Sequence, residues 1–412
     1  MHILWIKTEL LHPVDKGGRI RTYQMLRALA RQHEVTYLTL DDGTAAPDAL
    51  GKATEYCTRV EAVPFTPPPK GSAGFYAALL RNLVSPLPYS IARYEVPALR
   101  DRIRALCATT NVDVVVCDFL APSINVPDDL GVPVVLFQHN VEAMIWERHA
   151  LVASQPLKKW YMGEQWRRMR RFEAHECRRV NSVIAVSTQD AEVFRRDYGV
   201  ANVPDVPTGV DTDYFVRQSD VRRAPGTMVF TGSMDWMPNE DGIAWFVDSI
   251  LPMIHKTIPS ATLTIVGRNP TAKVKALQSR TNGVTVTGSV PDVRPYLASH
   301  QLFIVPLRVG GGTRLKIYEG MTMGLPTVST TIGAEGLPVV DGDHLVLADE
   351  PETFAHACIA LLNDTARCEQ MGNAADAFVR EQFGWDGVAK RFAEFCSAAI
   401  PAVPVSLSVM KA

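Results

Sequence analysis

Short, almost continuously apolar segments alternate with longer helical segments along nearly the whole sequence. Segments 112–117 and 302–307 are examples. They are too short to cross a membrane, and they lack the strict alternation of a half-exposed strand. Strands with this composition are covered on both faces, as in a parallel sheet. Repeated strand–helix units of this kind predict a doubly wound α/β fold.

The strand–helix pattern occurs twice, which indicates two domains. In the first half, strands are predicted at 2–7, 34–40, 60–65, 112–119, 133–139 and 182–187. After a stretch rich in proline, glycine and charge at 203–226, strands are predicted at 227–232, 262–267, 284–288, 302–307 and 326–330. The 412 residues also exceed the size of one ordinary core. We therefore predict an N-terminal Rossmann-like domain (1–205), a C-terminal Rossmann-like domain (206–385), and a C-terminal helix and tail (386–412) that can pack back on the N-terminal domain.

Composition and charge exclude several classes of protein. The net charge is −2, so no basic field predicts a nucleic-acid partner. The seven cysteines are scattered and form no CxxC pair, which favours a reduced, cytoplasmic protein. The first residues lack the basic and apolar regions of a secretory signal.

The strongest local motif follows the predicted strand at 302–307 and opens a predicted helix at 313–323. Its residues are Gly310, Gly311, Gly312, Thr313, Arg314, Lys316 and Glu319. Glycines let backbone amides approach an anion, and a helix start adds unpaired N–H groups and a positive dipole end. Two cations in a first helical turn are otherwise disfavoured. We predict that this segment binds a diphosphate and that the carboxylate one turn later accepts a sugar hydroxyl. The alternative is a glycine-rich turn with a solvated cationic face.

Two further loops follow predicted strands of the first half. Gly17 and Gly18 open the first helix, where they bring backbone close to a ligand or simply form a tight turn. His139 follows the strand at 133–139, at the sheet edge where ligands bind. Its two interpretations are a hydrogen bond to a substrate hydroxyl and a structural histidine.

Other motifs are absent or have simpler explanations. The sequence contains no Walker A loop, no GxGxxG after its first strand and no GxSxG elbow. The Asp-x-Asp triplets at 211–213 and 341–343 lie in turn-like sequence, so turn chemistry explains them better than a metal does. No metal site is expected.

Segment 157–179 is rich in arginine and lysine, with aromatic residues between them. The simpler interpretation is a surface helix with an apolar seam. The alternative is peripheral contact with an anionic membrane or a lipid-phosphate acceptor.

Several segments together resemble the GT-B glycosyltransferases that depend on nucleotide sugars, specifically the large retaining family four. The segments are Pro207-Thr208-Gly209-Val210-Asp211, Phe230-Thr231-Gly232-Ser233-Met234, Ile265-Val266-Gly267-Arg268, Gly288-Ser289-Val290 and the stretch from Pro306 to Pro326. The resemblance covers residues 1 to about 395. It implies two Rossmann-like domains that face each other across a cleft.

The resemblance also implies roles for individual residues. Glu319 accepts the donor ribose hydroxyls, and Arg314 with Lys316 neutralises the pyrophosphate. His139 touches the transferred sugar, and Gly17 and Gly18 approach the phosphates or the acceptor. The remaining donor-binding positions are Gly232, Ser233, Arg268, Gly310, Gly311, Gly312 and Thr313.

The donor segment departs from the family pattern. Gly311 stands where the family has the first glutamate of its donor motif, so we expect backbone amides of 310–312 to take over that contact with the sugar. Ser233 and Pro238 stand where the family often has arginine and lysine, and we expect Arg314 and Lys316 to replace their charge. A bacterial subgroup resembles this GGGTRLK arrangement.

From this resemblance we expect a cytoplasmic enzyme, soluble or peripheral at the inner membrane. It would transfer a hexosyl unit from a nucleotide-diphosphate sugar, as co-substrate and without a cofactor, to a saccharide or lipid-linked acceptor. The family mechanism implied is front-face transfer, in which the departing diphosphate helps to deprotonate the acceptor. Two alternatives stay open: a non-hydrolysing nucleotide-sugar epimerase, and a nucleotide-sugar-binding protein without transfer activity.

Overall fold

The computed structural model of the protein consists of two structural units. The described residues are 1–14, 17–152, 155–217, 221–309 and 315–401, apart from the side chains of Arg148, His149 and Val152. The first unit contains Met1–Pro207 and the chain from Val388 onward, and the second contains Thr208–Gly387. The predicted boundaries at 205 and 385 each lie two residues before these. The part of the predicted tail after Pro401 lies outside the described residues.

Each unit is built around one six-stranded sheet whose strand pairs are all parallel. The first sheet contains β1 (His2–Lys7), β2 (Glu34–Asp41), β3 (Arg59–Pro64), β4 (Val114–Asp118), β5 (Val134–Gln138) and β6 (Ser182–Ala185). The second contains β7 (Ala224–Thr231), β8 (Thr262–Val266), β9 (Val284–Gly288), β10 (His300–Val305), β11 (Thr327–Ser329) and β12 (Val346–Leu347).

The two sheets have the same strand order. The first runs β3-β2-β1-β4-β5-β6 and the second β12-β11-β10-β7-β8-β9. In each sheet the order reverses next to the first strand, between β1 and β4 and between β7 and β10. Doubly wound sheets bind ligands at such switch points, outside the carboxyl ends of the strands. The predicted α/β fold class is confirmed, and every predicted strand is present.

Helices connect the strands in both units. Those of the first unit are α1 (Gly17–Leu29), α2 (Ala49–Lys52), α3 (Ala73–Asn82), α4 (Tyr89–Ala92), α5 (Pro97–Thr109), α6 (Glu142–Val152), α7 (Pro156–Arg179) and α8 (Thr188–Tyr198). Those of the second unit are α9 (Met237–Trp245), α10 (Leu251–Thr257), α11 (Ala272–Arg280), α12 (Arg294–Ser299), α13 (Leu315–Thr322), α14 (Pro351–Asn363) and α15 (Thr365–Phe383). The last helix is α16 (Trp385–Ala399).

From the sequence we predict one continuous helix near 239–256, but in the structure this helix is interrupted. A π-helical segment, Phe246–Ile250, separates α9 from α10. Pro252 lies in the first turn of α10. Proline lacks the N–H that continues an α-helix, so the backbone bonds must shift at this point.

Helix α16 packs on the first sheet although it comes last in the chain. The Phe392 ring is fully buried, with its centroid 5.4 Å from that of Trp5 and 4.9 Å from that of Phe137. Trp5 lies on β1 and Phe137 on β5, so the helix covers strands on both sides of the switch point. The end of the chain therefore completes the core of the first unit.

We predict that Phe392→Ala lowers the free energy of unfolding of the first unit by about 3–5 kcal/mol, because it leaves a cavity against two aromatic rings. Chemical denaturation followed by tryptophan fluorescence measures the change. Leu80→Ala is the control, because Leu80 is 67% exposed. A loss below about 1 kcal/mol for Phe392→Ala would mean that α16 does not contribute to this core.

Candidate functional site

In the second unit, Lys316 extends from α13 towards the switch point. Its Nζ donates to Asn239 Oδ1 at 2.9 Å and lies 4.2 Å from the centroid of the Phe230 ring. Phe230 belongs to β7 and Asn239 to α9, which follows β7. The ammonium group therefore lies at the carboxyl end of β7, where doubly wound sheets bind anionic ligands.

Asn239 links this lysine to two other predicted donor-binding residues. Its Nδ2 donates to the backbone carbonyl of Ser233 at 2.8 Å. The hydroxyl of Ser233 accepts from Arg268 Nε at 2.7 Å. Two cationic side chains, Lys316 and Arg268, are thus tied to one loop that follows β7. Asn239 itself was missed by the sequence analysis, because an asparagine early in a helix carries no distinctive motif.

Two glycines allow the loops after β7 and β8 to approach each other. A Cβ on Gly267 would lie 1.6 Å from the carbonyl oxygen of Gly232, which excludes any side chain there. A Cβ on Gly232 would lie 2.8 Å from Lys316 Nζ and 2.7 Å from Asn239 Nδ2. Because residue 232 has no side chain, Lys316 and Asn239 keep their positions next to its backbone.

Glu319 lies one turn after Lys316 on α13, half-buried. Burial raises the pKa of its carboxyl to about 7, against the lowering effect of Lys316. Its side chain makes no hydrogen bond to any residue that the structure describes. A carboxylate held in this way can accept hydrogen bonds from a ligand.

Five predicted site residues lie outside the described residues: Gly310, Gly311, Gly312, Thr313 and Arg314. Their part in binding a diphosphate stays a prediction. The described helix α13 begins immediately after them, at Leu315.

In the first unit, the switch point holds a buried polar cluster centred on Asp118, the last residue of β4. Asp118 Oδ2 accepts from Lys7 Nζ at 3.0 Å, from Trp5 Nε1 at 3.1 Å and from Thr22 Oγ1 at 2.6 Å. Burial alone would raise the pKa of this carboxyl, but Lys7 and His139 outweigh that effect and lower it below its usual range. Asp118 is therefore an anion at neutral pH.

The predicted site residue His139 belongs to this cluster. Its Nε2 lies 2.6 Å from Asp118 Oδ1, and its ring stacks on Phe119 with centroids 3.8 Å apart. Burial lowers the pKa of His139 to about 4, although Asp118 opposes the shift. The imidazole is therefore neutral at pH 7, and its Nε2 proton faces Asp118. Its Nδ1 lone pair is left to face Arg21 or a ligand.

Arg21, on α1, is a further residue that the sequence analysis missed. Its guanidinium donates to His139 Nδ1 over 3.5 Å, which is its one hydrogen bond to the described residues. Burial lowers the pKa of Arg21 to about 10, against Asp118 and Asp190. Most of its five N–H donors are thus available to an anionic or hydroxylated ligand.

The other predicted features of the first unit lie near this cluster or in turns. Gly17 and Gly18 begin α1, and a Cβ on Gly18 would lie 3.2 Å from Phe119 Cζ. The Asp-x-Asp triplets act in turns: Asp211 Oδ1 accepts from the backbone N–H of Tyr214 at 3.0 Å, and Asp341 Oδ1 from that of Leu347 at 2.8 Å. Within the described ranges, no three His, Cys, Asp or Glu side chains form a potential metal site.

Family comparisons agree with the two-unit architecture. Residues 16–214 match the family model described as Glycosyltransferase Family 4, and residues 225–364 match Glycosyl transferases group 1. Both halves of the chain carry glycosyltransferase domains. The sequence-based prediction of a glycosyltransferase is thereby confirmed.

Curated relatives of this glycosyltransferase chain match it over part of their length. A GDP-mannose-dependent alpha-(1-6)-phosphatidylinositol monomannoside mannosyltransferase of Mycobacterium tuberculosis is 27% identical over 52% of this chain and 60% of its own. An uncharacterized 44.6 kDa protein in the cps region of Klebsiella pneumoniae is 27% identical over 38% of this chain and 42% of its own. The chain thus spans about half the length of these relatives.

Solved structures match over nearly the whole chain. Sucrose-phosphate synthase from Thermosynechococcus elongatus has a TM-score of 0.64 at 16% identity, over 97% of this chain and 98% of its own. Anabaena Alr3699/HepE in complex with UDP has a TM-score of 0.64 at 15% identity, over 97% and 100%. These matches confirm the GT-B fold class of two Rossmann-like domains.

In the part of the chain that the structure describes, no helix is long and apolar enough to span a bilayer.

We predict that Glu319→Gln stabilises the glycosyltransferase above about pH 8 but not near pH 4.5. The pKa of Glu319 is about 7 in the folded protein and lies above that of the unfolded chain. The folded state therefore holds its proton more tightly, and stability is lost as pH rises through 7. Removing the charge should restore on the order of 3 kcal/mol at high pH, since one pKa unit corresponds to about 1.4 kcal/mol.

Thermal unfolding across this pH range measures the effect. Glu335→Gln, which removes an exposed carboxylate of the same unit, serves as the control. Equal unfolding midpoints of wild type and Glu319→Gln at both ends of the range would contradict the assigned environment of Glu319.

Proposed function

We propose that the protein transfers a hexosyl unit from a nucleotide-diphosphate sugar to a hydroxyl of a saccharide or lipid-linked acceptor. We propose further that the transfer retains the anomeric configuration and serves bacterial polysaccharide or glycolipid biosynthesis. The observation that carries the proposal is the cluster of Lys316, Arg268 and Glu319 at the switch point of the second sheet.

The cationic part of this cluster suits a leaving diphosphate. Transfer breaks the bond between the sugar and the diphosphate, so negative charge develops on the leaving oxygen. A preorganised ammonium group in a partly buried site stabilises that charge more strongly than water does. Lys316 is held by Asn239 in this way. Because side-chain cations take the charge, we propose that no metal is needed, so that a chelator leaves transfer unchanged.

Glu319 supplies the complementary acceptor. A half-buried carboxylate without a described partner can accept hydrogen bonds from two adjacent hydroxyls, as in a ribose. Because its pKa is raised to about 7, part of the Glu319 carboxyl groups are protonated at pH 7. A ligand that donates hydrogen bonds to Glu319 should therefore shift this equilibrium towards the ionised form. We therefore propose that Glu319 binds the nucleoside end of the donor.

The polar cluster of the first unit suits a hydroxyl-rich ligand that also carries an anionic group. Neutral His139 presents Nδ1 as a hydrogen-bond acceptor, and Arg21 presents donors beside it. A sugar hydroxyl can donate to Nδ1 of His139, and a phosphate or another hydroxyl can accept from Arg21. Gly17 and Gly18 would bring backbone close to the same ligand.

The relatives support a sugar-nucleotide donor without agreeing on the base. The mycobacterial relative is named for GDP-mannose, whereas Anabaena HepE was crystallised with UDP and with UDP-glucose. The Klebsiella relative lies in a cps region, which favours a role in surface polysaccharide. The cytoplasmic location that we propose, free or peripheral at the inner membrane, is where such donors are found.

A thermal-shift screen against UDP-, GDP-, ADP- and TDP-sugars tests the donor class. We expect one base to raise the unfolding midpoint, because a ligand of the folded state stabilises in proportion to its affinity. The stabilising donor is then incubated with and without saccharide and lipid-linked acceptors, and the anomeric signal of the product is measured by NMR. Conversion of the donor without acceptor would favour epimerisation, and binding without turnover would favour a binding protein.

We predict that Lys316→Ala lowers turnover by about 100-fold or more, because removing one preorganised donor from a developing oxyanion has this effect in other enzymes. Its unfolding midpoint should move by only a few degrees, since the hydrogen bond to Asn239 and the contact with the Phe230 ring are each worth about 1 kcal/mol. Lys273→Ala is the matched control, because Lys273 is an exposed lysine on α11. Unchanged turnover in folded Lys316→Ala would exclude the role given to this lysine.

A further inference from the structure

Phe119, directly after β4, has a strained backbone. Its φ is +72°, in the left-handed region, which a bulky side chain rarely adopts. In the part of the chain that the structure describes, the other non-glycine residue with positive φ is Asn269, a residue type that tolerates this region. Strained residues persist where their surroundings fix them, and they occur preferentially at functional sites.

The sheet fixes this backbone from two sides. The N–H of Phe119 donates to the carbonyl of Phe137 at 2.9 Å, which continues the pairing of β4 with β5 by one residue. The thiol of Cys117 donates to the carbonyl of Phe119 at 3.5 Å. Cys117 and Phe137 are both buried in their strands. The left-handed turn at Phe119 is therefore tied to the end of the sheet.

The Phe119 ring packs against three parts of the first unit. It stacks on the imidazole of His139, with the two planes 20° apart and the centroids separated by 3.8 Å. Lys7 Nζ on β1 lies 4.1 Å from the ring centroid. At the start of α1, a Cβ on Gly18 would lie 3.2 Å from Phe119 Cζ, so glycine at this position leaves room for the ring.

Two aromatic rings enclose His139, and Phe119 is the one nearer to solvent. The Phe137 ring lies 4.6 Å from the imidazole, measured between centroids, and is fully buried, whereas Phe119 is half-buried. His139 itself is only 5% exposed. With Nε2 at Asp118 Oδ1 and rings packed against it, the imidazole has one nitrogen, Nδ1, that faces Arg21.

We propose that Phe119 is a positioning residue for His139. Its ring holds the imidazole in the orientation that presents Nδ1 to Arg21 and a ligand, and it keeps water away from the pair of His139 and Asp118. Core packing alone does not explain the strain, because glycine or asparagine would make the same turn more easily. Neither of them would stack on His139 in this way. The consequence for sugar transfer rests on the proposed function, but the effect on His139 does not.

The protonation of His139 reports on this role. Burial makes the largest contribution to its lowered pKa of about 4. The charged groups that act on it are Asp118 of β4, which raises the pKa, and Arg21 of α1 and Lys7 of β1, which lower it. Removal of the Phe119 ring would admit water to the imidazole and leave these three charges in place, so the pKa should rise.

The test compares two variants of the full chain. Phe119→Ala removes the ring but keeps a side chain in the left-handed region, whereas Phe119→Gly removes both the ring and the strain. The pKa of His139 is measured by NMR on protein labelled with carbon-13 at histidine Cε1, and His139→Gln identifies the signal. We expect the pKa to rise from about 4 in the wild type to about 5 or above in both variants.

Stability should separate the two variants. We expect Phe119→Gly to unfold at a temperature a few degrees higher than Phe119→Ala, because glycine adopts the left-handed region without a steric penalty. Circular dichroism verifies that each variant is folded. Phe119→Gly keeps the test decisive if Phe119→Ala does not fold, since relief of the strain offsets part of the lost packing.

Phe75→Ala is the matched control, because it removes another half-buried ring of the same unit, on α3. Its His139 pKa should stay at the wild-type value. An unchanged His139 pKa in the folded Phe119 variants would overturn the proposal. So would a rise in Phe119→Ala that Phe119→Gly does not share, because the ring is absent from both.

The transfer assay separates this proposal from the proposed function. If the protein transfers sugars, loss of the Phe119 ring should lower turnover more than donor affinity, because the diphosphate is proposed to bind Lys316 in the second unit. A wild-type protein without transfer activity would contradict the proposed function. The NMR titration would still decide whether Phe119 positions His139.

Discussion

The ammonium group of Lys316 is held at the switch point of the second sheet, and the proposed chemistry depends on that position. The strand order places a gap at the carboxyl end of β7, next to β10. Asn239 fixes the lysine there and also binds the carbonyl of Ser233. Glycine at 232 is required because a Cβ would displace both polar groups. Sheet topology, one asparagine and one glycine together position a single cation.

The switch point of the first sheet, between β1 and β4, holds a different set of charged side chains. Asp118 is buried and anionic, and Lys7 compensates it directly at 3.0 Å. Burial keeps His139 neutral, with one nitrogen held by Asp118 and the other facing Arg21. A neutral imidazole beside a guanidinium suits a ligand rich in hydroxyls. The second sheet thus presents a cationic site, and the first presents a polar site with a neutral imidazole beside a guanidinium. This difference is the one expected under the transfer that we propose.

Much of the fold could be predicted from sequence because buried parallel strands are continuously apolar. Segments such as 112–119 and 302–307 stand out without any knowledge of their partners. The strand β12 was missed because its two residues are too few to form a pattern. The helix predicted at 239–256 is interrupted by a π-helical segment just before Pro252, because proline has no N–H for the regular backbone hydrogen bond.

The site was predictable only where its residues are close in sequence. Lys316 and Glu319 share a motif, so spacing alone was enough to predict a site that contains both. Asp118 and Lys7 are 111 positions apart, and only the order of strands brings them together. A charged residue at the end of an apolar strand is the one feature that could have indicated either. A role for Arg21 likewise could not be predicted, because only the fold brings this residue to His139, 118 positions away.

If Lys316 neutralises a leaving diphosphate, the second unit binds a nucleoside diphosphate more tightly than the monophosphate of the same base. Calorimetric titration of the wild-type protein with UDP and UMP, and with GDP and GMP, tests this most directly. We expect the diphosphate of one base to bind about tenfold more tightly than its monophosphate, a difference of about 1.4 kcal/mol that becomes smaller as salt is added. Equal affinities for the two, at low and high salt, would contradict it.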